Sequence, residues 1–427
     1  MLRDTHDALW YNSISTEHID RGVIAQTAIT HAEGCWVTDA VGRRYLDARA
    51  ALWNTTLGYS EQSIVDAMTA QLRTLPVAQV IRYQQPPEVA LTYARRLVSA
   101  LPGDLSHVRF GSTGSQMTTA AVFLSRFLRK VRQERNRTAV IAFGKSYHGT
   151  GGMASALSGE RQLHALQSPL VPDIHHVPAW KLDALMNAVR KLGPDRVSAI
   201  ILEPVLGTGI RPAPPGFLAA VRTLCDEHGI HLIVDEVTTG FGRTGFMAAI
   251  EHEGVQPDML VLGKGITAGY APLAALVTTD VVFDTALSRP DFVFPHGSTA
   301  DGHPVAMAAG EAVLDRLADG TLFVAVREHG QWLRDRLVEL LAHEVRGVGL
   351  MIGVELRDGH DEPLSAATMS RVHEECATEG LLITTTDNTI VLMPPLVISV
   401  EECGELVARL DTALRRVLNT ALAGSVA

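Results

Sequence analysis

The sequence predicts an α/β protein: a large domain on a mostly parallel central sheet, joined to a smaller α+β domain. Three apolar runs carry that prediction, namely Ala199-Ile200-Ile201-Leu202-Glu203-Pro204, Ile230-His231-Leu232-Ile233-Val234-Asp235-Glu236-Val237 and Met259-Leu260-Val261-Leu262-Gly263-Lys264-Gly265. Short apolar runs bounded by Gly or Pro read as strands buried on both faces. Between about 61 and 320 they alternate with helical patterns, which points to βαβ units. From about 321 the alternation stops, and helices fall to one side of a few strands.

Taken in order, residues 1 to about 60 read as an amino-terminal arm and part of the smaller domain. A strand at Cys35-Trp36-Val37-Thr38-Asp39 meets Arg44-Tyr45-Leu46-Asp47 across a Val41-Gly42 turn. Residues 61–320 form the large domain. Its clearest unit begins with the strand 197–202, followed by a helix opened by Pro214-Pro215 and closed by Gly229. That helix carries Phe217, Val221, Leu224 and Cys225 on one face, and the strand 230–234 comes next. Proline suits a helix start and glycine a stop. Residues 321–427 supply a helix from Val324 to about His343 and the apolar run Val348 to Leu356. A further helix, the strand Thr389 to Met393 and a closing helix from Val400 to about Thr420 follow.

Composition narrows the partners. The chain has 427 residues and a formal net charge of −10, with no long basic run. Nucleic acid is an unexpected partner, because phosphate neutralisation needs clustered Lys and Arg. The densest basic stretch, Arg126 to Arg137, is expected to be the solvated face of a helix. Cys35, Cys225, Cys376 and Cys403 are far apart, without a Cys-x-x-Cys pair. That disfavours a disulfide framework or zinc site and suits a reducing cytoplasm. No stretch reaches the roughly 20 apolar residues that span a bilayer, and the amino terminus lacks the apolar segment of a signal peptide.

Ligands of open parallel sheets bind at the carboxyl ends of the strands, so Glu203, Asp235 and Lys264 are expected to converge. A lysine at such an end is desolvated, which favours the neutral amine used in Schiff-base chemistry. A buried carboxylate one strand away suits a protonated pyridine nitrogen, although a metal ligand or a nucleotidase acid occupies similar places. The nucleotidase reading lacks its Gly-x-x-x-x-Gly-Lys-Ser/Thr loop. Thr113-Gly114-Ser115, after the strand His107 to Phe110 and at a helix start, suits an anion, or a plain helix cap. Tyr147-His148-Gly149 follows the strand Ala139 to Phe143, where an aromatic ring can stack on a flat cofactor. His296-Gly297-Ser298-Thr299 is either a second phosphate contact or another helix cap.

Together these segments resemble the class III pyridoxal-phosphate-dependent aminotransferases, from about Gly34 to about Val400. Asp235-Glu236-Val237-Thr238-Thr239-Gly240-Phe241-Gly242-Arg243-Thr244-Gly245 is close to that family's long signature, and Lys264 to Leu273 looks like the lysine segment of its ω-aminotransferase branch. The resemblance implies fold type I and bound pyridoxal 5'-phosphate. Lys264 would join the cofactor covalently and shuttle a proton, and Asp235 would pair with the ring nitrogen. Val237 and Tyr147 would sandwich the ring, beside His148. Thr113, Gly114 and Ser115 would cradle the phosphate, and Thr299 would reach the phosphate of the neighbouring subunit in a homodimer with shared active sites. Glu203 matches a glutamate near the cofactor and the substrate entrance. Leu52, Trp53 and Tyr83 would line the substrate pocket.

The expected activity is ping-pong amino transfer between a small-molecule amine or amino acid and a carbonyl acceptor. A peptide or secondary metabolite is within the expected range. An aminomutase, a racemase and a non-catalytic binding protein on the same fold remain alternatives. Two segments depart from the pattern: Gln116-Met117-Thr118 stands where the family has Glu-Ala-Asn, and Thr384 stands where many relatives carry an arginine for a substrate carboxylate. Either Arg82 or Arg211 replaces that arginine, or one substrate lacks a carboxylate near its amine.

Overall fold

The computed structural model describes residues 28–424 except Tyr83, Phe292, Ala342, His343 and Gly359. The first 27 residues of the expected arm and the pocket candidate Tyr83 therefore lie outside the described residues. The chain opens with β1 (Ile29–Glu33), β2 (Trp36–Asp39) and β3 (Arg44–Asp47), an antiparallel meander. The hairpin expected at 35–47 is its second half.

Seven strands build the main sheet: β4 (Leu105–Gly111), β5 (Ala139–Phe143), β6 (Ile174–Val177), β7 (Val197–Leu202), β10 (His231–Glu236), β11 (Met259–Leu262) and β12 (Ala274–Thr279). The two-residue strands β8 (Val205–Leu206) and β9 (Arg211–Pro212) form a small ribbon between β7 and β10. The sheet order is β4-β12-β11-β10-β7-β5-β6, and only β12 runs against its neighbours. Every residue of β5, β7, β11 and β12 is buried. Apolar clusters cover both faces, one including Phe143, Ile200 and Leu232, the other Val140, Ala199 and Ile233. Alternate residues of one strand thus face opposite layers, which is why these strands read as unbroken apolar runs.

The helix Phe217–His228 runs as expected, with Phe217, Val221, Leu224 and Cys225 buried and Gly229 in the left-handed region at its end. The link from β10 to β11 differs from the expected βαβ step, because it holds only a short 3₁₀ turn, Ala249–His252. Its organiser is the buried carboxylate of Glu236. Glu236 accepts from the amides of Ala249 and Ile250 at 2.6 and 2.9 Å and from the Thr239 hydroxyl at 3.0 Å.

The basic stretch corrects one expectation. Arg129 is only 1% exposed and donates to the carbonyls of Ser198 and Gly229, both at 2.9 Å. Arg137 is also buried and donates to the carbonyl of Val197 at 2.8 Å. These guanidiniums satisfy carbonyls where β7 begins and where the helix ending at His228 turns back. They are structural donors rather than a solvated face.

A second core joins both ends of the chain. Cys35, Leu46 and Ala48 pack with Val326, Leu333 and Leu337 of the helix Thr321–Leu341 and with Leu406 and Leu410 of the helix Val400–Gly424. The strands here are β13 (Glu344–Val348), β14 (Met351–Glu355), β15 (Leu381–Leu382), β16 (Thr384–Thr386) and β17 (Thr389–Leu392). β15 pairs with β3 in parallel, Leu381 opposite Leu46, while the others form the sheet β13-β14-β17-β16. Fully buried Arg243 ties the two cores together, donating to the carbonyls of Leu350 at 3.1 Å and Pro394 at 2.6 Å. Among the described residues, no helix is long and apolar enough to cross a membrane.

Candidate active site

A cavity of about 620 Å³ opens at the carboxyl ends of β4, β5, β10 and β11. It is lined by Thr113, Gly114 and Ser115 after β4, by Tyr147 and His148 after β5, by Asp235 and Val237 at the end of β10, and by Lys264 after β11. Leu52 and Trp53 close another side, from a kinked segment in which Ala51 and Trp53 have φ of +58° and +67°. Thr384, Thr385 and Thr386 of β16 form the outer wall.

Lys264 starts a 3₁₀ turn with φ of +41° between Gly263 and Gly265. Its Nζ donates to the Thr238 hydroxyl at 2.7 Å and lies 5.3 Å from the centre of the Trp53 ring. Burial lowers the amine below its ordinary value, against the opposing charges of Asp235 and Glu203. A larger fraction of neutral amine, the nucleophilic and basic form, follows.

Asp235 is 4% exposed. Its Oδ1 accepts from the amide of Val237 at 3.0 Å, and its Oδ2 accepts from His148 Nδ1 at 2.7 Å. A carboxylate only accepts, so the His148 proton sits on Nδ1 in this contact. Burial alone would lower the His148 imidazole, but its hydrogen bond to Asp235, with the charges of Asp235 and Glu203, raises it above the ordinary value.

Glu203 sits behind the cavity wall rather than on it. It accepts from the amide of Tyr147 at 2.8 Å and from that of Gly207 at 3.1 Å. Burial pushes its carboxyl up to about 7, against the pull of His148 and these two amides. Its contacts place Tyr147, whose side chain lines the cavity.

The anion cradle lies where the helix Gly114–Val131 begins. Thr113 caps that helix, its hydroxyl accepting from the amide of Gln116 at 3.1 Å. Gly114 and Ser115 are the first two residues of that helix, whose first-turn amides have no intrahelical acceptor and suit an anion. The Ser115 hydroxyl accepts from the amide of Thr150 at 3.2 Å. Gln116 turns away, accepting from the amide of Ser112 and donating to Asp301. Asp301 also accepts from the amide and hydroxyl of Ser298. Thr299, the next residue, is exposed and does not line this chain's cavity.

These residues fit pyridoxal phosphate. The missing Cβ atoms keep the floor clear: at Gly114 a Cβ would lie 2.9 Å from Val237 Cγ2, and at Gly149 one would lie 2.1 Å from Ser115 Oγ. Phosphate donors, a carboxylate and a buried amine come from three separate strand ends. Among the described residues no His/Cys/Asp/Glu group has the form of a metal site. Neither Arg82 nor Arg211 lines the cavity, and Arg211 lies 3.6 Å from Glu355.

Three features were not predicted from the sequence. Thr238 holds the Lys264 amine, and its place beside Val237 was the available signal. The hydrogen bond between His148 and Asp235 joins residues of two strands and has no local signature. Glu160 lines the cavity with Thr208, whose hydroxyl donates to Glu160 Oε1 at 2.9 Å.

Sheet order, phosphate cradle and the lysine–carboxylate pocket define a fold-type-I enzyme of pyridoxal phosphate. The "Aminotransferase class-III" family model matches residues 19–414. The chain belongs to the class III aminotransferases, enzymes that transfer amino groups with this cofactor. It is 30% identical to an omega-aminotransferase of Caulobacter vibrioides, over 91% of this chain and 93% of that one. It is 36% identical to an acetylornithine aminotransferase of Methanopyrus kandleri, over 90% and 93%. Among solved structures, an (S)-enantioselective omega-transaminase from Thermomicrobium roseum superposes with a TM-score of 0.92 at 30% identity, covering 97% of this chain and 98% of that one. A PLP-bound amine transaminase from an uncultivated Pseudomonas species gives 0.91 at 32% identity, over 96% and 99%.

Proposed function

We propose that the chain is a homodimeric, cytoplasmic transaminase whose donor is an amine without a carboxylate at its reacting end. The observation that carries the donor reading is the cavity lining, which among the described residues contains Lys264 and no arginine. A bidentate clamp on a carboxylate needs a guanidinium fork, and Thr384 offers a hydroxyl instead. The four cysteines are free and buried, in keeping with a reducing compartment.

Bound pyridoxal phosphate supplies an electron sink for a carbanion at the carbon bearing the amino group. Lys264 takes the proton from that carbon on Nζ and returns it to the cofactor side, its burial keeping the amine available in neutral form. Thr238 fixes where Nζ waits. Asp235 keeps a proton on the ring nitrogen, and His148 holds the carboxylate in place by donating to the oxygen that Val237 leaves free. Val237 and Tyr147 line the cavity where they would bound the two ring faces, and Glu203 positions Tyr147 through its amide. The Gly114 and Ser115 amides would hold the phosphate, joined in a dimer by the partner subunit's Thr299. Water supplies the oxygen with which the donor leaves as a carbonyl compound while its nitrogen stays in the site, and a second carbonyl compound takes that nitrogen up and releases its oxygen as water.

Borohydride reduction of the holoenzyme followed by peptide mapping tests the covalent role, with label expected on Lys264. Labelling of another lysine refutes it. Mixing the holoenzyme with an amine in the absence of acceptor should yield stoichiometric pyridoxamine phosphate, which an aminomutase or racemase does not accumulate.

A further inference from the structure

The cavity holds one acid without a task in that scheme. Glu160 lines it together with Tyr147, Thr208 and the threonines of β16. Its place in the chain suggests a helix cap, because it immediately precedes the helix Arg161–Gln167. Its side chain nevertheless makes no capping bond and turns to the Thr208 hydroxyl instead. No described cation pairs with it. Among the described residues the lining contains two groups able to carry positive charge, Lys264 and His148, and both are engaged elsewhere, with Thr238 and Asp235. The acids acting on Lys264 are Asp235 and Glu203, whereas Glu160 acts on the Tyr147 hydroxyl, which burial first and this charge second push up. Glu160 is thus an acid in the same cavity with no cationic partner among the described residues, apart from the acids that act on the reacting amine.

We infer that Glu160 selects donors that carry a second, distal positive charge, so that the substrate class is the α,ω-diamine or an equivalent dication. The inference rests on the amine-donor reading above and adds the identity of the far end. A partly buried carboxylate attracts an ammonium and repels a carboxylate at the same distance, and hydroxyls such as Thr208 and Thr384 accommodate an ammonium by accepting from it. An ω-amino acid of the same length would bring like charge against Glu160.

The test compares cadaverine, n-pentylamine and δ-aminovalerate, which share one chain length, as donors to the holoenzyme. Stopped-flow absorbance follows loss of the lysine-bound cofactor band. Cadaverine is expected to react at least about tenfold faster than δ-aminovalerate at subsaturating concentration, a typical effect of one close charge pair. Glu160→Gln should reduce that ratio towards one by weakening apparent donor affinity rather than the saturating rate, and Glu160→Lys should invert it. A ratio unchanged in Glu160→Gln overturns the assignment. Binding is read separately with N,N,N′,N′-tetramethylcadaverine, which forms no Schiff base. By calorimetry it should bind wild-type holoenzyme about tenfold more tightly than Glu160→Gln, and equal affinity also overturns the role of Glu160. If no donor converts the wild-type cofactor, the amine-donor reading fails, while the calorimetric arm still decides on Glu160.

Discussion

Gly114→Ala isolates one geometric requirement of the cofactor site. Gly114 is the first residue of its helix, where alanine is the better helix former by at most about 1 kcal/mol. Against this, the new Cβ would lie 2.9 Å from Val237 Cγ2 and 3.0 Å from Cγ1. Val237 can yield only towards the cavity that it lines. On its other side a Cβ at Gly263 would lie 3.1 Å from Val237 Cγ1, so the valine already fills the space between two glycines of different strand ends. Overpacking of this kind costs about 1–3 kcal/mol, so the clash outweighs the helix gain. Relief comes only by moving Val237 into the cavity or lifting the Thr113–Ser115 turn, and either displaces a cofactor contact. Pyridoxal phosphate should therefore bind about 5- to 30-fold more weakly, the factor that a net loss of one to two kcal/mol produces. Titration of the apoprotein by absorbance measures this. Val237→Ala removes both clashing methyls, so Gly114→Ala/Val237→Ala should be less impaired than the two single losses added together. Wild-type affinity in Gly114→Ala, or strictly additive losses, refutes the argument.

Lys264→Ala should abolish borohydride-fixed labelling and stop conversion of the cofactor by amines, while the protein still retains cofactor through its phosphate and ring contacts. Buried Glu203, with its carboxyl raised to about 7, gives a stability contribution fully present below about pH 4.5 and lost as pH passes about 7. Glu203→Gln removes this titration, so between pH 5 and pH 8 the variant should gain on wild type by up to about 3 kcal/mol in urea unfolding. An identical pH slope in the two proteins contradicts the raised carboxyl. Arg129→Met leaves the Gly229 carbonyl without this donor and the Ser198 carbonyl with the Ser125 hydroxyl, and should lower stability by about 1–3 kcal/mol, the cost of one unpaired group, as a shift in denaturation midpoint.

What could be read from the sequence follows from how far each determinant acts along the chain. β7, β10 and β11 were legible because each is buried on both faces, so apolarity runs unbroken until the charged residue that ends it. Lys264, Asp235 and the Thr113–Ser115 turn were legible because glycine and short polar residues mark the strand ends. Arg129 was misjudged from its charge, although it falls four residues after Ser125 and eight after Ala121, both buried on the same helical stripe. The pairing of His148 with Asp235, and the turn of Glu160 towards Thr208, depend on how strands order themselves in space. No local pattern encodes that. Thr384 in place of an arginine was visible, but Glu160 in the lining of the same cavity was not.

Arg243 has a consequence for how this pocket can change. It lies eight residues beyond Asp235, in the loop that leaves β10, and its guanidinium grips carbonyls that flank β14 and follow β17. The cofactor's acid and the bolt between the two halves of the molecule are therefore transmitted by a single short lever. Tilting the lobes to admit a bulkier molecule would pull on that lever and disturb the ring's anchorage. Tolerance for new substrates should accordingly be sought in side-chain exchanges along the outer threonine wall, where the opening can be reshaped without moving its hinge.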